Sequence, residues 1–273
     1  MNEEDVVLDG YPMGPGYPVF VTELLPGTAE PKDHDSENPT GDQRFFGRDY
    51  YSPPVWTLTM SAETRGDLNA VARLWRSPIR RIPGAEQELF YHSNGVTRMV
   101  YGRTRRYTPN PALLTAIGEF VTSSTLHFDA EQREVAVTLV PPPTGGVTMP
   151  LTFPMVMAQT GEVQGTIDDV GGDTDTPFEI EFQGPVTNPG ARGNGWELGL
   201  TGTLAYDQTV TINTRLGTAV DNFGNSWGGA LRRSIRLQEI LLSPGADHVV
   251  FNGTDPTGTA RAIIRWRPAY EGF

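Results

Sequence analysis

The feature that most constrains the fold of this chain is a series of short stretches in which apolar and polar residues alternate. Glycine and proline, with 31 and 23 of the 273 residues, separate these stretches. Because the side chains of a β-strand point alternately to opposite faces, such alternation is typical of a strand with one buried face. In residues 55–60, for example, Trp56, Leu58 and Met60 share one face. The pattern predicts a mainly β chain of many short strands joined by turns.

Other strands are expected along the whole chain. We place them at residues 17–22, 119–128, 133–140, 176–184, 196–204, 208–214, 248–252 and 259–267. Phe178, Ile180 and Phe182 alternate with acidic and amide residues, as in a sheet with one face in water. The strand signals of the second half recur about every ten residues, which predicts an antiparallel β-sandwich.

Asn94 and Gly95 are the strongest turn signal, because Asn-Gly suits the two-residue hairpin turn in which both residues need positive φ. Such a turn sets the register of the strands on either side. The expected cross-strand pairs are Tyr91 with Arg98, Leu89 with Val100, Phe90 with Met99 and His92 with Thr97. Both faces of this hairpin are partly apolar, which predicts that both are covered.

One amphipathic helix is predicted between these strands. Leu68, Val71, Ala72 and Trp75 follow the spacing i, i+3, i+4, i+7, which forms one apolar stripe on a helix. We expect the helix to run from residue 64 to residue 75. Proline disfavours helical backbone in the residue before it, so Ser77-Pro78 is expected to end the helix.

The segment Pro141-Pro142-Pro143-Thr144-Gly145-Gly146 is the expected domain boundary. Proline cannot donate to a strand ladder, and Gly-Gly adds backbone freedom. The predicted organisation is a first domain at residues 1–140, a linker at 141–146 and a second domain at 147–273.

The charge and composition of the chain exclude several classes of protein. The chain has 21 Lys and Arg residues against 33 Asp and Glu residues, a net charge of −12, and both halves are acidic. Neither half is therefore expected to be a basic nucleic-acid-binding domain. The absence of cysteine removes disulfides and thiolate chemistry. No apolar run approaches the roughly 20 residues of a membrane span, and the acidic start differs from a signal peptide.

No set of residues indicates catalysis, a cofactor or a metal. His92, His127 and His248 fall in strand patterns and are expected to be ordinary sheet positions, and the common hydrolase and phosphate-loop motifs are missing. Residues 33–38 and 168–175 are rich in acidic side chains. The first stretch lacks the glycine and distal glutamate of a calcium-binding loop, and both are expected to be solvated loops.

Two further groups of side chains have alternative interpretations. Arg98, Arg103, Arg105 and Arg106 form the one basic cluster. They are either an interface that binds carboxylates of another subunit or partner, for which guanidinium groups are well suited, or a solvated strand face with intrachain ion pairs. Trp196 is either a sugar-stacking ring or a buried tryptophan of the sandwich. We favour burial, because no galectin-type set of His, Asn and Arg surrounds it.

An ordered set of motifs gives a more specific indication. It comprises Phe46-Gly47-Arg48-Asp49-Tyr50, Pro54-Val55-Trp56-Thr57-Leu58, Trp75-Arg76, Tyr101-Gly102-Arg103, Arg106-Tyr107, Phe182-Gln183-Gly184-Pro185-Val186-Thr187-Asn188-Pro189, Pro244-Gly245, Val249-Val250-Phe251, Gly253-Thr254 and Trp266-Arg267-Pro268-Ala269-Tyr270. Together these motifs resemble the distal tail proteins of siphophages, in the style of the minor tail proteins of actinobacteriophages. Residues 182–189 resemble the turn between two sandwich strands in that family.

The resemblance implies a first domain with the tail-tube fold, a split β-barrel flanked by one helix, and a second, galectin-like antiparallel β-sandwich. It implies a structural protein without enzymatic activity or cofactor, made in the host bacterial cytoplasm and located at the tail tip of the virion. The implied assembly is a homohexameric ring through which double-stranded DNA passes without tight binding. The implied partners are the tail tube protein, the tail-associated lysin or baseplate hub protein and the tape measure protein, with no membrane.

Two alternatives belong to other classes of function. One is a lectin-like carbohydrate-binding module that recognises host cell-surface glycans, and the other is a glycoside-processing enzyme. For the ring, the acidic net charge adds an expectation about its lumen. Duplex DNA carries about one charge per 1.7 Å of axis, so a basic wall would retain it. We expect a lumen lined mostly by Asp, Glu, Ser, Thr and Gly, with the arginine cluster at a contact away from it.

Overall fold

The computed structural model describes residues 5–32, 36–37, 44–45, 50–81, 85–93, 95–139, 161–255 and 257–272. The chain forms two compact units. The first comprises Met1–Ala130 with Tyr270–Phe273, and the second comprises Glu131–Ala269. Each unit has its own core of buried apolar side chains. None of the helices in the described ranges is long and apolar enough to cross a membrane.

Strands account for more than half of the described residues in each unit. The first unit contains β1 (Val6–Leu8), β2 (Tyr11–Met13), β3 (Val19–Leu25), β4 (Glu30–Lys32), β5 (Ser36–Glu37), β6 (Arg44–Phe45), β7 (Tyr50–Ser52), β8 (Val55–Ala62), helix α1 (Arg65–Arg81), β9 (Gln87–Ser93), β10 (Val96–Asn110), β11 (Thr115–Thr122) and β12 (Leu126–Asp129). The second unit contains β13 (Arg133–Thr138), β14 (Gly161–Ile167), β15 (Phe178–Gln183), β16 (Val186–Gly193), β17 (Trp196–Leu200), β18 (Thr203–Leu204), β19 (Thr209–Asn213), β20 (Thr218–Asp221), β21 (Leu231–Arg233), β22 (Asp247–Thr254) and β23 (Arg261–Trp266), with short 3-10 helices at Gly228–Ala230 and Leu237–Glu239. The last strand of the chain is β24 (Ala269–Glu271).

A nine-stranded sheet dominates the first unit. Its main path is β2-β1-β9-β10-β11-β8-β3, with β12 paired to β10 and β24 paired to β12. The end strands β2 and β3 follow each other in the chain, and the N–H of Gly14 donates to the carbonyl of Val19 across the turn between them, at 3.0 Å. No ladder joins β2 to β3 in the part of the chain that the structure describes, so the sheet is not a closed barrel. The mainly β fold class with one flanking helix is confirmed.

The hairpin of β9 and β10 has the predicted register. Tyr91 lies opposite Arg98, and Leu89 lies opposite Val100. Gly95 has a φ of +76°, as the Asn-Gly turn requires. Both faces carry buried or half-buried side chains, which agrees with the expectation that both are covered.

Helix α1 begins where the sequence predicts and ends later. Thr64 and Asp67 form a capping box: the backbone N–H and hydroxyl of Thr64 donate to Asp67 Oδ2 at 3.1 and 2.6 Å, and the Asp67 N–H donates to the Thr64 hydroxyl at 3.3 Å. The predicted end before Pro78 is wrong, because the helix continues to Arg81. A proline inside a helix removes one hydrogen bond and bends the helix, but the turns around it remain helical when the rest of the helix is held in place.

The second unit is an antiparallel β-sandwich, as predicted. One sheet has the order β13-β23-β15-β19-β20, and the other has the order β14-β22-β16-β17-β21, with β18 paired to β16. Inward-facing side chains of both sheets form one core. The rings of Phe182 and Phe251, one from each sheet, stack with their centroids 5.8 Å apart.

The strand near residues 133–140 belongs to the second unit, which corrects its predicted place in the first domain. β13 pairs with β23 from Arg133 opposite Trp266 to Thr138 opposite Arg261, and Val137 and Leu139 are buried in the second core. Alternation identifies a strand but does not identify the sheet that the strand joins. The predicted linker at residues 141–146 lies outside the described residues.

One other boundary differs from the sequence-based expectation, because residues 119–128 are divided between β11 and β12. The turn expected within residues 182–189 lies between β15, which ends at Gln183, and β16, which begins at Val186. The register of β16 shifts between Thr187 and Gly190, and Asn188 has a φ of +51°. This β-bulge accommodates Pro189, which has no N–H for a regular ladder.

Candidate functional site

An irregularity in β10 determines which side chains the first unit presents to solvent. Thr104 lies opposite Phe120 and Tyr107 lies opposite Gly118, so that Arg105 and Arg106 together face the single residue between them on β11. Two residues opposite one define a β-bulge.

The bulge changes the alternation of side chains along β10. Thr104 points towards helix α1, where its hydroxyl donates to the carbonyl of Trp75 at 2.8 Å. Tyr107 also points towards α1: its hydroxyl donates to the carbonyl of Leu68 at 3.0 Å, and its ring centroid lies 5.9 Å from that of Trp75. The bulge inserts one extra residue between Thr104 and Tyr107, so both of these side chains point inward. The two residues between them, Arg105 and Arg106, are exposed to solvent.

The two arginines have little compensating charge on their own strand pair. The guanidinium of Arg106 lies 4.0 Å from the carboxylate of Glu119, and its side chain is 74% exposed. Such a long, exposed ion pair contributes little to stability. The guanidinium groups of Arg105 and Arg106 are thus accompanied by one carboxylate, that of Glu119. This part of the surface has an excess of positive charge, although the net charge of the protein is −12.

The same surface carries apolar side chains where a solvated sheet face would carry polar ones. We call it the outer face and define it by the outward positions of β3, β8, β11 and β10. Phe20, Leu25, Val55 and Ile117 are all exposed on it. The register places Phe20 opposite Ser61, Leu25 opposite Thr57 and Ile117 opposite Thr59. A cavity of about 240 Å³ lies on this face, lined by Arg106, Thr108, Ile117 and Glu119.

The other two arginines of the predicted cluster have different surroundings. The guanidinium of Arg98 lies 3.4 Å from the ring centroid of Tyr270, which is a cation–π contact. The Nε–H of Arg103 donates to the carbonyl of Ala85. The structure thus brings Arg105 and Arg106 together, whereas Arg98 and Arg103 are half-buried and bound within the first unit.

The histidines of the described residues, His92, His127 and His248, occupy strand positions, as expected. His127 is buried on β12, with its Nδ1 2.6 Å from the hydroxyl of Tyr91. Burial, and then the nearby charge of Arg98, lowers the pKa of His127 below its usual value, and burial raises the pKa of Tyr91. His92 lies 3.0 Å from the hydroxyl of Thr97 across the hairpin, and His248 is exposed on β22.

The acidic stretches show no cation site in the ranges that the structure describes. Asp169 accepts the backbone N–H of Gly171 at 2.9 Å and lies 3.7 Å from the guanidinium of Arg133. No group of three or more His, Asp and Glu residues among the described positions has the geometry to hold a metal. The side chains of residues 33–38 lie outside the part of the chain that the structure describes.

Trp196 is a core residue rather than a surface ring. It is 5% exposed, and its ring centroid lies 5.2 Å from that of Phe178. Among the described residues of the second unit, the most exposed aromatic side chains are instead those of Tyr206 and Phe223, at 78% and 70%. Sequence reasoning missed both. The available signal was an aromatic residue within a short polar, glycine-containing turn, such as Asn222-Phe223-Gly224-Asn225.

No protein-family model and no curated protein matches the sequence. Solved structures do match the fold. The crystal structure of the Dit protein of phage SPP1, described as a paradigm of the hub adsorption apparatus in phages that infect Gram-positive bacteria, is similar over 97% of this chain and 98% of its own, with a TM-score of 0.56 and 12% identity. A chain of the phage p2 baseplate in its activated conformation with Sr matches over 96% of this chain and 97% of its own, with a TM-score of 0.56 and 10% identity.

A second structure of that baseplate, with Ca, matches over 93% of this chain and 91% of its own, with a TM-score of 0.51 and 10% identity. The fold is therefore that of phage tail and baseplate hub proteins. SPP1 Dit and the p2 baseplate chains are among the solved structures that share it. At 10–12% identity, the likeness shows a common fold.

Proposed function

We propose that this chain is the distal tail protein of a long, non-contractile-tailed phage, a structural connector between the tail tube and the tail tip. The observation that carries the proposal is the extent of the likeness to SPP1 Dit, which includes 97% of this chain and 98% of that one. A match over one domain alone would be compatible with many roles, because common folds host unrelated functions. A match over both units in the same order supports a shared role.

The proposed assembly is a homohexameric ring formed by the first unit. A ring closes through heterologous contacts, in which one patch of a subunit meets a different patch of its neighbour. The outer face provides a suitable patch, because Leu25, Val55 and Ile117 would gain from burial. Arg105 and Arg106 at its margin would bind carboxylates of an acidic neighbouring subunit. Arg98 and Arg103 would support this contact indirectly, because their own contacts with Tyr270 and Ala85 would hold β10 in place.

The proposed partners outside the ring are the tail tube protein, the tail-associated lysin or baseplate hub protein and the tape measure protein. DNA would pass through the lumen without tight binding, which requires a wall without a basic surface. We therefore propose that Arg105 and Arg106 lie at a subunit contact and not in the lumen. The protein would be made in the host cytoplasm and would reside at the virion tail tip.

We propose no catalytic role. His92 and His127 hydrogen-bond to neighbouring hydroxyls, His248 is exposed on β22, and Asp169 accepts a hydrogen bond within its own turn. The fold matches are to phage hub and baseplate structures.

Cryo-electron microscopy of purified tails tests the proposal. We expect six copies of this chain in one ring at the distal end of the tube, and a count of three or twelve would contradict the hexamer. Ile117→Asp should prevent incorporation into tails, because it replaces an apolar side chain with a charged one within the proposed contact. Val96→Asp, which changes an exposed apolar residue at the β9–β10 turn, is the matched control and should be incorporated normally.

A further inference from the structure

A second basic segment lies in the second unit, outside the arginine cluster that the sequence predicts. We call it the arginine edge and define it as residues 231–236, with the sequence Leu-Arg-Arg-Ser-Ile-Arg. Its first three residues form strand β21, and all five residues from Arg232 to Arg236 are exposed. Three cations in six residues give this segment a positive charge on a chain whose net charge is −12.

Strand β21 is the end strand of its sheet. It pairs with β17 on one side, where Arg233 lies opposite Leu198, and no ladder joins its other side within the described ranges. The open side of an end strand presents backbone N–H and C=O groups to which a further strand can bind.

The alternation of hydrogen bonds along β21 identifies the free backbone groups. The N–H of Ser234 donates to the carbonyl of Glu197 on β17 at 3.0 Å. In an antiparallel ladder, hydrogen-bonded pairs alternate with pairs that are not hydrogen-bonded, so the N–H and C=O of the preceding residue, Arg233, point away from β17. Neither of these groups, nor the N–H of Ile235, has a hydrogen-bond partner in the part of the chain that the structure describes.

The guanidinium groups of the arginine edge are not neutralised by ion pairs. Glu197, across the ladder, and Glu239, three residues after the edge, are the nearest acidic residues by register and by sequence. Among the described residues, no carboxylate lies within 4.0 Å of the three guanidinium groups. Arg232 donates to the carbonyl of Asn188 at 3.5 Å. The arginines can therefore bind carboxylates of another chain, for which their planar donors are well suited.

These groups restrict the class of molecule that can bind at the edge. The same edge of a second copy would place like charges opposite each other, which is destabilising. A phosphate polymer would suit the guanidinium groups but has no donor for the free carbonyl of Arg233. Ile235 is the one large apolar side chain of the edge that is exposed, at 37%, so the apolar face of a helix would find little to pack against. An extended acidic polypeptide supplies carboxylates, N–H donors and C=O acceptors together.

We propose that the arginine edge binds an extended, acidic segment of a partner protein, which adds to the sheet as a further strand beside β21. Its backbone would hydrogen-bond with the free groups of Arg233 and Ile235, as in other cases of strand addition. Successive residues of a strand point to opposite faces, so Arg232 and Arg233 would bind carboxylates on both faces of the added strand. This partner is additional to those of the connector role, and its binding does not depend on that role.

The test uses the full chain and a short peptide in which Glu alternates with Thr, with binding followed by fluorescence anisotropy. We expect saturable binding that weakens as the salt concentration rises. The double variant Arg233→Gln, Arg236→Gln should weaken it about tenfold. The matched control is Arg65→Gln, Arg73→Gln, which removes the same charge from exposed positions of helix α1 and should bind like the wild type.

A second pair of measurements tests the strand addition itself. The same peptide with every backbone nitrogen methylated keeps its carboxylates but has no backbone donors, and it should bind about tenfold more weakly. Hydrogen exchange followed by NMR should slow at the amides of Arg233 and Ile235 when the unmethylated peptide binds. The amide of Ser234, which already donates to Glu197, is the internal control and should change little.

Three results would overturn the proposal: no binding of the peptide at millimolar concentration, equal binding of the methylated peptide, or tighter binding of inorganic polyphosphate than of the peptide at equal charge. The first would mean that the arginines serve only to prevent self-association of an open edge. Melting curves establish that each variant is folded. Incorporation of the Arg233→Gln, Arg236→Gln variant into tails is measured separately, so that failure of the arginine edge and failure of the connector role are distinguishable.

Discussion

Trp75 of helix α1 packs directly over Gly118 of β11. A Cβ atom added to Gly118 would lie 2.4 Å from Cζ2 of the Trp75 indole. The indole N–H donates to the carbonyl of the next residue, Glu119, at 3.2 Å. This close approach of a tryptophan to a strand backbone holds the helix against the sheet, and it leads to the first two predictions.

Gly118→Ala should destabilise the first unit. The added methyl group would overlap the buried indole, and overpacking of this kind costs about 1–3 kcal/mol. Chemical denaturation followed by tryptophan fluorescence measures the change. Gly229→Ala is the control, because no heavy atom lies within 4 Å of a Cβ at that position. Equal stability of Gly118→Ala and the wild-type protein would contradict the packing described here.

Trp75→Ala should have a larger effect in the same unit. It removes a fully buried indole and leaves a cavity, and truncations of this size cost about 3–5 kcal/mol. Arg73→Ala, on the exposed side of the same helix, should change stability by no more than about 0.5 kcal/mol. Similar melting temperatures for the two variants would mean that the Leu68, Val71 and Trp75 stripe does not contribute to the core.

The stability of the first unit should fall as the pH decreases below about 6.5. Burial lowers the pKa of His127 in the folded protein, so the unfolded chain takes up a proton at a higher pH than the folded chain. Stability is then fully present above the ordinary pKa of 6.5 and is lost as the pH falls towards the lower folded value. His127→Gln should remove this dependence, as followed by melting temperature between pH 7 and pH 5 (about the range in which histidine titrates). His248→Gln, at an exposed position, should retain it.

Residues 131–269 should fold as an isolated fragment, because they contain both sheets of the sandwich and its core. A fragment that starts at residue 147 should be less stable, because it lacks β13 and therefore the buried side chains of Val137 and Leu139. Thermal unfolding followed by circular dichroism compares the two. A fragment 147–273 as stable as 131–269 would show that β13 is dispensable.

Local sequence signals predicted the elements whose formation depends on neighbouring residues. The Asn-Gly turn specified the β9–β10 register, the spacing of Leu68, Val71 and Trp75 specified the helical face, and alternation in residues 178–183 specified a strand with one buried face. Each of these signals lies within a few residues of the chain, where the periods of helix and strand are directly readable. Strand β16 was missed because Pro189 and its glycines weaken that local signal.

The candidate sites depended on contacts between distant residues. The four arginines are near one another in sequence, but the β10 bulge turns Arg105 and Arg106 to the surface while Arg98 contacts Tyr270, more than 170 positions later in the chain. The segments that carry the exposed side chains of Tyr206 and Phe223 are joined by the hydrogen bonds that Asn222 forms with Asp207 and Thr209.

The sequence by itself determined the class of fold, the strand and helix periods and the tightest turn of this protein, because these follow from the geometry of adjacent residues. Only the tertiary structure decided that β13 joins the sandwich, that Trp196 is buried while Tyr206 and Phe223 are exposed, and that two arginines of the four are exposed. The physical reason is that sheet membership and exposure are set by which distant strands pair and which side chains the resulting cores can bury.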